Sequence, residues 1–179
     1  MKQLLFCASL MIAFASCKKS STSAVENNEI LRSGNWRMKA FTVKFEKTPG
    51  VDSVYDIFKK FDTCRSDDYI TFGENFKGIQ FSSKLKCGGE LDETPFEWEL
   101  RNNQKVLMLN NAQYTIGNVS EIPITPTGKD YVEATISKIN KKSFTITYNT
   151  TVQVYQPVPL KDTGIFVEKT FYFTQTFDK

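Results

Sequence analysis

The chain has 179 residues, a formal net charge of +3, 40% hydrophobic residues and no histidine. That length suits one domain with a single sizeable core and is short for two, and its Lys and Arg are interspersed with Asp and Glu, which argues against a nucleic-acid partner. Without histidine the Ser-His and Cys-His dyads, a histidine general base and histidine metal triads are all excluded, and most hydrolase designs with them.

Residues 1–16 read as a secretion signal: Lys2 stands near the start, and an apolar run from Leu4 leads into Leu10-Met11-Ile12-Ala13-Phe14-Ala15-Ser16. The run falls short of the ~20 residues that a bilayer span needs. Small residues at Ala15 and Ser16 directly before Cys17 resemble the lipobox of bacterial lipoproteins, with Phe14 where that motif usually has Leu. The resemblance implies that the leader is removed and that the acylated Cys17 becomes the first mature residue, a lipid anchor in the outer membrane of a bacterial cell envelope. Lys18-Lys19-Ser20-Ser21 lacks the acidic residues of a bacteroidete surface-export tag, which points to the periplasmic face. Residues 17–29 are polar and nearly featureless and read as a flexible tether. The folded domain is expected to span 30–179, opening with a short helical turn at Ile30 and Leu31 before Gly34.

Beyond Gly34 the hydropathy has period two. Phe41, Val43 and Phe45 form one stripe. Phe96, Trp98 and Leu100 alternate with Glu97 and Glu99, Val132, Ala134 and Ile136 with Glu133, Thr135 and Ser137, and Phe144, Ile146 and Tyr148 with Thr145, Thr147 and Asn149. This is the pattern of half-buried antiparallel strands. Turn chemistry separates them: Gly73-Glu74-Asn75 divides Tyr69–Phe72 from Phe76–Phe81, Asn102-Asn103 precedes Val106–Leu109, and Asn140-Lys141-Lys142 precedes Phe144. The Pro-bearing stretches 121–128 and 156–160 read as longer loops, because proline cannot donate to a central ladder. Between Val51 and Phe61 the spacing of Val54, Ile57, Phe58 and Phe61 sets a short helix against a strand. A final strand, Phe166 to Phe177, returns to close the sheet. The fold class is all-β, a meandering antiparallel barrel of about eight to ten strands with one short helical segment.

Cys7 lies in the leader and Cys17 would carry lipid, so Cys64 and Cys87 are the thiols of the domain. In an oxidising envelope they are expected to form one disulfide, contributing roughly 3 kcal/mol by restricting the unfolded chain. Without histidine they supply half a zinc site, and no metal or cofactor is expected.

Gly34-Asn35-Trp36 is similar to the Gly-x-Trp element of lipocalins, whose tryptophan packs across the closed end of the barrel. With Asp62-x-Cys64, Asp67-Asp68-Tyr69-x-x-Phe72, Cys87, Phe96-x-Trp98-x-Leu100 and Val106–Leu109, the pattern resembles the lipocalin-like domain of bacteroidete lipoproteins over most of residues 30–110. It differs in having no counterpart of the lipocalin arginine that stacks on this tryptophan near the last strand.

A barrel of this strand count is about the smallest that can hold a ligand, and the candidate cavity is floored by Trp36 and lined by Phe72, Phe81, Trp98 and Met108. Its ligand would be small and apolar or amphipathic. For Trp36, Trp98 and the stripes of Phe41, Val43 and Phe45 and of Phe171, Phe173 and Phe177, plain core packing is the better reading. Asp67 and Asp68 read as a turn and strand start rather than a calcium site. Asn118-Val119-Ser120 and Asn149-Thr150-Thr151 match the glycosylation acceptor, which a bacterial lipoprotein has no use for. Glu90, Asp92, Glu93, Glu97 and Glu99 form the densest acidic cluster. Glu97 and Glu99 share the solvent face opposite Trp98, where no carboxyl is desolvated enough to act as a raised-pKa acid, so the protein is read as a non-enzyme and a monomer. Two classes remain open: a barrel that binds a small ligand, and a filled barrel that acts on envelope partners through its loops.

Overall fold

The computed structural model describes residues 22–48, 50–60, 66–86, 89, 91–110, 131–157 and 164–179. The signal and anchor residues, Cys64, Cys87, Glu90, Asn118-Val119-Ser120 and the 121–128 loop lie outside them. Helix α1 (Thr22–Arg32) is followed by β1 (Trp36–Thr48), β2 (Val51–Asp56), a 3-10 turn (Phe58–Lys60), β3 (Tyr69–Phe72), β4 (Lys77–Phe81), β5 (Glu93–Arg101), β6 (Val106–Asn110), β7 (Tyr131–Ile139), β8 (Ser143–Pro157) and β9 (Gly164–Asp178).

Every strand pairs antiparallel with its successor from β3 to β9. The ring closes because β1 takes β9 on one edge, from Arg37 opposite Asp178 to Phe45 opposite Phe171, and β3 on the other at Trp36 and Arg37. The result is a closed antiparallel meander barrel of eight strands. β2 stands outside it, pairing with the far part of β1 from Thr42 to Thr48. The ambiguous segment after Val51 is therefore a strand that gives way to a 3-10 turn. Its β-branched and aromatic residues find a ladder on β1, and Ile57 then turns inward with its N–H donating to the Phe41 carbonyl at 2.8 Å.

Strand phase determines what fills the barrel. In β1 the inward residues are Trp36 and Met38, then Phe41, Val43 and Phe45. The parity changes because a bulge against β9 between Met38 and Ala40 inserts one residue, which moves the following side chains to the other face. The neighbouring β9 and the β8 strand beyond it send in Phe144, Ile146, Tyr148, Phe171, Phe173 and Phe177. Phe144 stacks on Phe177 at 4.6 Å and meets Trp36 edge-on at 5.0 Å. Phe72 joins this group to Trp98 at 5.2 Å and to Phe96 at 5.8 Å. Gly78 lies opposite Phe96, whose ring occupies the space a Cβ would need. Toward the other end, Phe173 stacks on Tyr148 at 4.9 Å, and Phe45 meets Phe171 at a tilt, their centroids 5.0 Å apart. The interior is a continuous aromatic core.

Helix α1 closes one end. Leu31 is fully buried and Ile30 nearly so, and the Leu31 carbonyl accepts a hydrogen bond from the Trp36 indole at 2.7 Å. The helix starts at Thr22, well before the turn expected at Ile30, and tertiary contacts account for the difference. Asn27 Nδ2 donates to the Gln104 carbonyl at 3.0 Å and the Asn28 N–H donates to Gln104 Oε1 at 3.1 Å, docking the helix on the β5–β6 turn. Arg32 pairs with Glu74 of the β3–β4 turn at 2.7 Å. Lys179 lies across the same end, its Nζ 5.1 Å from the Trp36 ring centroid and 2.7 Å from Ser33 Oγ. A lysine thus places a cation over this tryptophan, in a chain whose sequence offered no arginine for the position.

Trp36→Phe is expected to lower unfolding stability by about 2–3 kcal/mol, because it leaves the Leu31 carbonyl buried without a donor and opens a gap beneath Lys179. Urea denaturation followed by circular dichroism measures this; a loss below half of that range would show that the indole is not what fixes the helix to the barrel.

Candidate functional site

Three of the five residues expected to line a cavity do meet inside the barrel. Trp36, Phe72 and Trp98 are buried and linked through Phe144 and Phe72. They pack against one another and fill the space they were expected to enclose. The other two face outward. In β4 the inward positions are Gly78 and Gln80, so Phe81 lies on the outer face, stacked on its cross-strand partner Tyr69 at 4.8 Å. The phase differs from expectation because Asn75 and Phe76 both take positive φ, 53° and 61°, and form the turn instead of starting the strand. In β6 the inward positions are Leu107 and Leu109, which turns Met108 outward beside Glu133. Val106–Leu109 is apolar throughout, so its hydropathy carries no phase.

The acidic residues take the places expected of them. Glu97 and Glu99 point outward. Glu97 pairs with Lys77 at 2.5 Å, Glu99 with Arg101 at 2.9 Å, and Arg101 also reaches Glu133 at 2.9 Å. The hydrogen bond from Lys77 holds the Glu97 carboxyl below its ordinary value, the reverse of what a general acid requires. Asp67 and Asp68 accept backbone N–H bonds from Lys84 at 3.1 Å and Ser83 at 3.3 Å, binding the chain before β3 to the chain after β4.

A concavity lies in the wall of the barrel, away from the expected cavity. β7 and β8 pair only from Thr135 opposite Thr147 to Ile139 opposite Phe144. Beyond Thr135, β7 stays with β6 while β8 continues with β9, so the two strands part. The groove between them has a volume of about 620 Å³, within the range of small-molecule sites. β7 supplies Tyr131, Glu133 and Thr135; β8 supplies Thr147, Asn149, Thr150 and Thr151; β9 supplies Tyr172 and Thr174. The stacked Tyr148–Phe173 pair also borders it. Gln175 Nε2 donates to the Tyr148 hydroxyl at 3.5 Å, and burial pushes that phenol well above its ordinary value, so it stays protonated. Thr150 is 3% exposed, and its hydroxyl has no hydrogen-bond partner among the described residues.

Sequence reasoning missed this site, although one signal pointed to it. In Phe171-Tyr172-Phe173 the tyrosine occupies the outward phase, and an aromatic ring on the solvent side of a strand, 54% exposed, has no packing role to explain it. The parting of β7 from β8 has no local sequence signature. Asn149, set aside as a chance glycosylation match, stands directly across from Tyr172.

The chain matches no family model, and neither curated proteins nor solved structures give a significant match.

Because Lys77 lowers the Glu97 pKa, the stabilisation from this pair is present above the unfolded glutamate value and is lost as pH falls through the lower folded one. NMR titration of the Glu97 carboxyl should give a value below that of free glutamate, and Lys77→Met should bring it back up. A titration unmoved by Lys77→Met would mean that the pair does not form in solution.

Proposed function

We propose that this protein is a lipid-anchored, non-catalytic component of a bacterial cell envelope, tethered through Cys17, whose filled barrel is a rigid scaffold for binding at its outer surface. One observation carries the reading: the aromatic rings from Trp36 to Phe171 occupy the interior where a lipocalin-type barrel would hold its ligand. The lipocalin likeness gains support from the closed meander and from Trp36 at its capped end beneath a cation. The small-ligand reading of the interior asks Trp36, Phe72 and Trp98 to line an open space, and their mutual contacts argue against it. The lack of histidine and the lowered pKa of Glu97 support a non-catalytic role.

Anchoring and scaffold are tested separately. Cys17→Ser should move the protein from the membrane fraction to the soluble one, and inhibiting lipoprotein signal peptidase with globomycin should accumulate the precursor. Membrane attachment that survives Cys17→Ser refutes the anchor. Titration with palmitic acid should leave the tryptophan emission unchanged; a saturable shift would restore the cavity reading and overturn the scaffold.

A Cys64–Cys87 disulfide belongs to the same reading. The register setting Tyr69 opposite Phe81, continued by Asp67 and Asp68 contacting Lys84 and Ser83, draws together the two stretches of chain that lead to these cysteines. Non-reducing peptide mapping of protein made in the periplasm should recover the two linked, and reduction should lower stability by roughly 3 kcal/mol. Recovery of two free thiols would exclude the bond.

A further inference from the structure

The groove between β7 and β8 has a lining whose chemistry selects among ligands. Its polar side chains are chiefly hydroxyls and an amide: Thr135, Thr147 and Thr174 stand in one cross-strand row, and Asn149 stands opposite Tyr172 in the next. Threonine hydroxyls and the asparagine amide both donate and accept, which suits a ligand whose own groups do both. The charges around the groove are already neutralised. Glu133 is paired with Arg101 at 2.9 Å, and Lys44, the β1 neighbour of Tyr172, is paired with Asp52 at 2.5 Å. Among the described residues that line the groove, neither an anion nor a cation finds an unpaired counter-charge, and a purely apolar ligand would strip water from the hydroxyls without replacing it.

The two tyrosines complete the pattern. Tyr131 lines the β7 wall and Tyr172 the β9 side, its ring 54% exposed. An aromatic face carries negative charge density and packs against the polarised C–H groups of a saturated ring. A pyranose offers that C–H face together with a rim of hydroxyls. The threonine row adds a repeat of about 4.8 Å across the strands, close to the length of one pyranose residue.

We propose that this groove binds an uncharged oligosaccharide, with Tyr172 stacking on a sugar ring and Asn149 and the threonine row bonding its hydroxyls. The inference rests on the reading of the barrel as a scaffold that binds at its outer surface, and it names the ligand class of that surface.

The test is isothermal titration of the full-length protein in detergent with cellotetraose, maltotetraose, galactotetraose and mannotetraose, alongside glucose, galactose and mannose. At least one tetrasaccharide should bind saturably and more tightly than its monosaccharide, with an affinity that changes less than about twofold between low and high salt. Tyr172→Ala and Asn149→Ala should each weaken binding about tenfold or more. Thr147→Val keeps the side-chain shape and removes one hydroxyl of the row, so it should weaken binding severalfold while leaving the β-sheet circular dichroism unchanged. Failure of all four tetrasaccharides to bind, or binding that Tyr172→Ala and Asn149→Ala leave intact, overturns the proposal. Those results leave the scaffold reading standing, since only entry of an apolar ligand into the barrel overturns it.

Discussion

The ladder between β1 and β9 is what makes a sheet of this size a closed body. It joins segments from opposite ends of the described chain, from Arg37 opposite Asp178 to Phe45 opposite Phe171, and it satisfies backbone groups that would otherwise form two open edges. Closure also decides which side chains are inside. Once β9 lies against β1, Phe171, Phe173 and Phe177 face Phe45, Phe41 and Trp36 across a shared interior. The bulge after Met38 keeps β1 in phase with that interior along its whole length.

Packing the interior with rings has a structural consequence for binding. A barrel whose core is filled does not admit a ligand by small wall movements, because its rings and aliphatic side chains are packed in one cluster and displacing one disturbs its neighbours. Recognition is then left to places where the wall departs from regular pairing. One such departure on the described wall lies between β7 and β8, and the side chains gathered there are chiefly hydroxyl, amide and phenol. The same side chains spread over a regular sheet would be ordinary solvated surface.

Much of the barrel was legible because strand alternation is strong in β5, β7 and β8, where charged or hydroxyl residues mark the outer face. Asn-rich turns marked the hairpins equally well, and Asn102 and Asn103 do adopt positive φ, at 51° and 54°. Legibility ended where alternation was absent or a bulge intervened. Val106–Leu109 is apolar on both faces, so Met108 could not be assigned a side, and Phe81 was misplaced because Phe76 belongs to the turn. The first turns of α1 carry no hydrophobic pattern, and their order comes from Gln104, distant in sequence. The candidate site was the least legible part: it depends on where β8 leaves β7 for β9, a matter of three-dimensional register.

The outer strand β2 shows how a closed barrel can still retain an edge. Among the described residues only one side of β2 is taken, by β1, and its exposed Val51 and Val54 would make the other side adhesive. Asp52 and Asp56 stand on the same face as Val54 in a strand six residues long, and each carries a cation with it: Asp52 pairs with Lys44 at 2.5 Å and Asp56 with Lys59 at 3.2 Å. Shortness and a cover of charged side chains are both ways in which a sheet discourages a stranger from adding to its edge. The edge is thus guarded by hydrated ion pairs, which a second strand would have to strip of water before it could pair.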